Sequence, residues 1–149
     1  MTTFKSNSVI GPKIKMLNTL VEKELNNTLA NLDNPLTGTQ ITVLMTINDA
    51  HEQIITQKKM EEALKLSHPT TRGIVKRLVA MNLISTSKLA DDQRQVTLHM
   101  TNLGTQIIEK NRTKINESVK NVESKITTSL SQEEQKQFLE MLTKIISNF

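Results

Sequence analysis

Between Leu83 and Met100 the spacing of the apolar residues changes, and this change restricts the possible folds more than any other feature of the chain. Upstream, apolar side chains recur at threes and fours, the period of one helix face. From Leu83 the sequence turns β-branched and hydroxyl-rich, as Leu83-Ile84-Ser85-Thr86-Ser87-Lys88-Leu89, and Val96, Leu98 and Met100 then alternate with Gln95, Thr97 and His99. The intervening Ala90-Asp91-Asp92-Gln93 is turn chemistry, so a β-hairpin is expected here. One hairpin in an otherwise helical pattern predicts a mainly α fold with a small β element.

The flanking patterns place the helices. Ile10, Ile14, Leu17, Val21, Leu25 and Leu29 trace an amphipathic helix that ends at Asn34-Pro35. Thr37 and Gln40 have the spacing of a capping box, opening a second helix with Ile41, Leu44 and Ile47 inward. Thr56 is placed to cap a short third helix with Met60, Ala63 and Leu64 inward. Leu66 and Ser67 close it, and Ser67 caps a fourth helix whose first turn tolerates Pro69 and whose apolar side is Ile74, Leu78 and Met81. After the hairpin, Thr101 caps a long helix in which Ile108, Ile115, Val119, Val122 and Ile126 form a heptad-like seam that suits helix pairing. Ser131 and Glu134 make a second capping box, starting a last helix with Phe138, Leu139, Leu142, Ile145 and Ile146 apolar.

Composition removes several classes of function. The 149 residues are enough for one domain with a real core. There is no Cys, which excludes disulfides, thiolate catalysis, thiol-based sensing and Cys-ligated metals. No apolar run approaches the roughly 20 residues of a membrane span. No signal-peptide core follows Met1 to Lys5, so a cytoplasmic protein is expected. His51, His68 and His99 fall on a loop, a helix start and a strand, with no carboxylate cluster, nucleophile–base pair or H-x-x-x-H spacing. The chain therefore reads as a non-enzyme with neither metal nor cofactor, and its Met residues read as core filler or the lining of an adaptable pocket.

The formal charge of +4 has one location. Thr56 to Gln95 holds Lys58, Lys59, Lys65, Arg72, Lys76, Arg77, Lys88 and Arg94 against Glu61, Glu62, Asp91 and Asp92, and the rest of the chain balances. Such a stretch either attracts a polyanion or is a solvated basic surface.

Two short helices joined by a tight turn, with a hairpin directly after the second, make a winged helix-turn-helix. A helix fits the major groove of B-DNA, and a hairpin beside it can put a cation into the neighbouring minor groove. Stepping about 100° per residue from Ser67 gathers Pro69, Arg72, Gly73 and Lys76 opposite the apolar side, with His68 and Arg77 at the margins. Arg72 suits guanine O6/N7 or a phosphate, Thr70 and Thr71 suit phosphates or base edges, and Lys76 and Arg77 suit phosphates. Gly73 either admits a close approach of the backbone to DNA or is a tolerated surface glycine. At the hairpin tip Asp92 is placed to brace Arg94 for entry into a minor groove.

The run Leu36-Thr37-x-x-Gln40-x-x-Val43-Leu44, Thr56-Gln57, Ser67-x-Pro69-Thr70-Thr71-Arg72, Lys76-Arg77-Leu78-x-x-Met81-Asn82-Leu83-Ile84, Asp91-Asp92-Gln93-Arg94 and Leu98-x-Met100-Thr101-x-x-Gly104 resembles the MarR family of bacterial transcriptional regulators. Leu130-Ser131-x-Glu133-Glu134 extends the likeness to the last helix. The resemblance implies a homodimer in which residues 1–34 and 102–149 interlock and residues 36–101 form a winged-helix lobe. Two lobes would read a pseudo-palindromic operator in double-stranded DNA, and a small hydrophobic or aromatic-acid ligand would release it. The implied DNA surface is Thr56, Gln57, Ser67, His68, Pro69, Thr70, Thr71, Arg72, Gly73, Lys76, Arg77, Lys88 and Arg94, with Asp92 as the wing brace. The expected dimer seam is Ile14, Leu17, Ile115, Val119, Val122, Ile126, Leu139 and Leu142. Two residues depart from the family pattern: Gly73 falls where several members carry a DNA-contacting Arg, and Asn82 stands where Gly is usual. The missing Cys removes the thiol-sensing branch. A helical protein-interaction module and a metal-responsive member of the same family are the alternatives.

Overall fold

The computed structural model describes residues 9–32 and 34–149; residues 1–8 and 33, part of the expected first dimerisation segment, lie outside the described residues. The order is α1 (Ile10–Leu29), α2 (Gly38–Asp49), β1 (Ile55–Thr56), α3 (Gln57–Leu64), α4 (His68–Ala80), β2 (Ile84–Leu89), β3 (Asp92–Met100), α5 (Asn102–Thr127) and α6 (Gln132–Ile146). The fold is thus mainly α with a small antiparallel sheet, in strand order β1-β3-β2.

Local chemistry sets the helix starts. Thr37 Oγ1 accepts from Gln40 N at 3.2 Å while Gln40 Oε1 accepts from Thr37 N at 3.0 Å, the reciprocal box that satisfies two otherwise orphan donors. Ser131 and Glu134 repeat it, and the hydrogen bonds from Ser131 hold the Glu134 carboxyl below its ordinary value. Thr56, Ser67 and Thr101 cap α3, α4 and α5 through their side-chain oxygens.

The core lies where α2, α3, α4, the sheet and the first half of α5 meet, around Val43, Leu44, Met60, Leu78, Leu83, Ile84 and Ile108. Two inward assignments are corrected. Ala63 is exposed, leaving Met60 as the buried residue of α3, and Met81 is exposed at the end of α4. The inner face of α4 is instead Thr71, Val75 and Leu78, one helical stripe. Strand β1 adds an element: Ile55 and Thr56 pair with Leu98 and Thr97, tying the hairpin to the lobe.

Two close contacts join the hairpin to its neighbours. Asn82 has φ 59°, the left-handed conformation that lets Leu83 N reach back to Leu78 O at 3.0 Å, which is the physical reason for glycine at such a position. At Gly104 an added Cβ would stand 2.1 Å from the Leu83 carbonyl oxygen, so only glycine lets α5 begin against the start of β2.

Candidate nucleic-acid interface

The α3–α4 turn is built by capping. Lys65 takes the left-handed conformation that ends α3, and Ser67 Oγ accepts from Thr70 N at 3.3 Å while donating to Thr70 Oγ1 at 2.8 Å. Thr71 is fully buried, and its hydroxyl donates to Ser67 O at 3.0 Å. Thr56 is also buried, its hydroxyl accepting from Lys59 N at 3.1 Å. The expectation that these two threonines present themselves to DNA is corrected: both have spent their hydroxyl groups on the helix-turn-helix frame, and neither has surface left to offer.

The other α4 candidates face outward. His68, Pro69, Thr70, Arg72, Gly73, Lys76 and Arg77 are exposed, as is Ser67 at the cap. No carboxylate stands among them. A Cβ added at Gly73 would meet nothing within 4 Å, so nothing inside the protomer requires glycine there. Gln57, at the start of α3, is partly exposed and donates Nε2 to Glu61 Oε1 at 3.3 Å.

The wing differs in register from the expected four-residue turn. Lys88 lies opposite Val96 and Leu89 opposite Asp92, so Ala90-Asp91 is the turn and residues 93–95 bulge from β3. The bulge carries Arg94, whose side chain is 96% exposed. Asp92 Oδ1 accepts from Arg94 N at 3.1 Å and stands 3.7 Å from its Nε, while Oδ2 accepts from Gln95 Nε2 at 3.2 Å. Asp92 thereby fixes the backbone under Arg94 and leaves the guanidinium in solvent. Lys88 is exposed on β2. Between α4 and the wing runs a groove lined by Pro69, Arg72, Lys76, Val79, Thr86 and Val96. Its cations, Arg72 and Lys76 on α4, and Arg94 on the wing bulge suit backbone phosphates and acceptor edges of bases.

The expected dimer seam separates into two sets. Ile115 and Val122 are buried within the protomer, a correction that follows from α5 packing against α1 and α2. Ile14, Leu17, Val119 and Leu139 are exposed, and Ile126 and Leu142 are partly so. Helix α6 buries none of its residues.

An apolar cavity lies between α1, α2 and α5, lined by Leu25, Leu29, Ile41, Met45 and Ile115, with Asp49 at its edge. Asp49 accepts from Arg112 Nη2 at 3.2 Å, and Arg112 also binds Glu109 through two nitrogens. Hydrogen bonds from Arg112 and then Asn48 hold the Glu109 carboxyl below its ordinary value. Among the described residues no group of three or more His, Asp or Glu is placed to hold a metal ion, and no helix is long and apolar enough to cross a membrane.

A helix-turn-helix with a cationic second helix and an arginine-bearing wing defines the winged-helix class of DNA-binding folds. The family model described as "MarR family" matches residues 34–95, so this lobe is similar in sequence to that family. Solved structures extend the likeness over the whole fold. A serine variant of MarR from E. coli, complexed with operator DNA, is 23% identical with TM-score 0.80, over 97% of this chain and 99% of that one. MepR from S. aureus, in a DNA complex, is 22% identical with TM-score 0.77, over 99% and 98%. PcaV from Streptomyces coelicolor, in complex with its natural ligand, is 19% identical with TM-score 0.78, over 99% and 98%. At these identities the likeness is one of fold. No curated protein sequence matches the chain.

Proposed function

We propose that this protein is a dimeric, sequence-specific DNA-binding transcriptional regulator, a repressor released by a small ligand. The observation that carries the reading is the exposed outer face of α4, which contributes cations and no carboxylate of its own, beside a wing whose arginine is braced from below. In this reading α4 enters the major groove, where Pro69, Thr70 and Arg72 meet base edges and Ser67, Lys76 and Arg77 meet phosphates. Arg94 enters the adjacent minor groove, and Gln57 and Lys88 add backbone contacts. Residues 36–101 act as the reading lobe, with residues 1–34 and 102–149 as dimerisation helices.

The exposed apolar residues of α1 and α6 support the dimer, because Ile10, Ile14, Leu17, Leu139 and Ile146 have no cover within one protomer. A two-fold arrangement sets two α4 helices about one DNA turn apart and calls for a pseudo-palindromic site. The cavity beside Met45 is the place for a small hydrophobic ligand, and the relative PcaV, described with a natural ligand, supports a ligand-responsive switch. A regulator of this kind is not an enzyme and works in the cytoplasm, with its DNA.

The test is duplex binding as a function of salt. Affinity is expected to fall linearly on logarithmic axes with a slope near −0.9 per phosphate contact. Absence of salt-sensitive duplex binding, with or without candidate ligands, contradicts the reading and favours a protein-interaction module.

A further inference from the structure

One carboxylate lies inside the cationic surface. Glu61, on α3, has a side chain only 17% exposed and faces the first residue of α4. Its Oε1 lies 2.6 Å from His68 Nδ1 and also accepts from Gln57 Nε2. A negative charge this close to a phosphate-binding face works against attraction. Its geometry gives it another use. An ionised carboxylate only accepts hydrogen bonds, so the shared hydrogen belongs to Nδ1. That fixes the ring and makes Nε2 the variable atom. The imidazole is 65% exposed, and Nε2 has no hydrogen-bond partner among the described residues.

The charges around this ring come from three elements. Helix α3 supplies Glu61 and Lys58, the wing supplies Arg94, itself paired with Asp92, and α4 supplies Arg72. The N-terminus of α4 repels a cation at His68, and Glu61 offsets that repulsion. With Nδ1–H committed, neutral His68 offers at Nε2 a bare acceptor, which no phosphate oxygen and neither major-groove acceptor of guanine can bond. The imidazolium offers an Nε2–H donor, which fits all of them.

We propose that Glu61 is a positioning residue that holds His68 with Nε2 free for DNA, and that His68 bonds a DNA acceptor, phosphate oxygen or guanine O6/N7, only when protonated. The inference rests on the DNA-binding reading above. Imidazole is the side chain whose charge changes nearest neutral pH, so binding tightens on mild acidification.

The experiment measures, at fixed ionic strength between pH 8 and 5.5, the affinity of the full-length protein for two labelled duplexes. One is selected by the protein from a random pool and the other is unrelated in sequence. Wild-type affinity is expected to rise about tenfold or more as pH falls, the worth of one hydrogen bond to a charged group. The His68→Gln variant, altered at an exposed site, is expected to lose that rise while His51 and His99 remain in place. Glu61→Ala removes a repulsive charge and should strengthen binding at pH 8, yet shrink the rise on acidification, a split that a merely structural role would not produce. A rise on both duplexes identifies phosphate as the acceptor, and a rise on the selected duplex alone identifies guanine. Tight binding with a flat wild-type profile, or a rise retained by His68→Gln, overturns this inference alone. Failure of the wild type to bind either duplex at any pH overturns the DNA-binding reading and this inference with it.

Discussion

The winged-helix lobe and the long helices flanking it treat their apolar residues in opposite ways. In the lobe, Val43, Leu44, Met60 and Leu78 are completely buried and the caps of α2, α3 and α4 are satisfied locally. In α6 no residue is buried and Leu139 is 66% exposed, while α1 leaves Ile10, Ile14, Leu17 and Leu20 in solvent along its first turns. The lobe closes its own core. Helices α1 and α6 carry the pattern of a core without its second half, and burying each large aliphatic side chain is worth about 1.5–3 kcal/mol. A second protomer supplying that half is the economical arrangement, and it would hold two reading lobes at a fixed separation.

The largest effect should come from breaking the lobe at its tightest contact. Gly104→Ala forces a Cβ against the Leu83 carbonyl, a backbone atom that cannot step aside. A loss of about 3 kcal/mol or more is expected, read from chemical denaturation. A variant as stable as the wild type would show that α5 does not start where described. Breaking the other region should leave the lobe folded: Leu139→Lys places a charge in the exposed α6 face and should turn a dimer into a monomer in sedimentation equilibrium, with the helical content kept. An unchanged dimer would put the interface elsewhere.

Within the lobe, Arg72→Ala should cost roughly 1–3 kcal/mol of DNA affinity at particular base pairs, measured by competition among operator variants. A uniform loss over all sequences would make Arg72 a phosphate contact. Arg94→Ala should weaken binding while leaving the dimer intact, since its guanidinium is solvent-exposed. The smallest effect carries two signs. Gly73→Ala should stabilise the lobe by about 1 kcal/mol, because α4 gains a helix former in open space. It should also reduce DNA affinity if the backbone of α4 closely approaches the duplex. Higher stability with unchanged affinity would make Gly73 a plain surface glycine.

What was legible in the sequence followed the range of the interaction. Capping at Thr37, Thr56, Ser67, Thr101 and Ser131 depends on residues three apart, and the structure has each cap where the spacing put it. The β1 strand has two residues, too few to carry a period, and exists only because Leu98 and Thr97 come alongside. Helical stepping already sets Thr71 beside Leu78, seven residues on, so its burial was legible from position; only its polar type suggested an outward role, and its hydroxyl is satisfied by the Ser67 carbonyl. The wing bulge at 93–95 was hidden in the same way, since Leu89 pairs with Asp92 through tertiary register and not through turn composition. The heptad steps of α5 were real as a pattern. They did not reveal that Ile115 and Val122 are buried within the protomer while Val119 is half exposed. For the proposed DNA surface, the outward cations were visible from helical stepping, but the Glu61–His68 contact joins two helices across a turn and has no sequence signature.

Selection from a random duplex pool asks whether α4 and the wing read duplex DNA in a two-fold arrangement. An inverted repeat with half-sites about one helical turn apart should be enriched, and the enrichment should vanish when Arg72 and Arg94 are both replaced by Ala. No enriched sequence, or the same enrichment from the doubly substituted protein, would mean that α4 and the wing do not read DNA in this way.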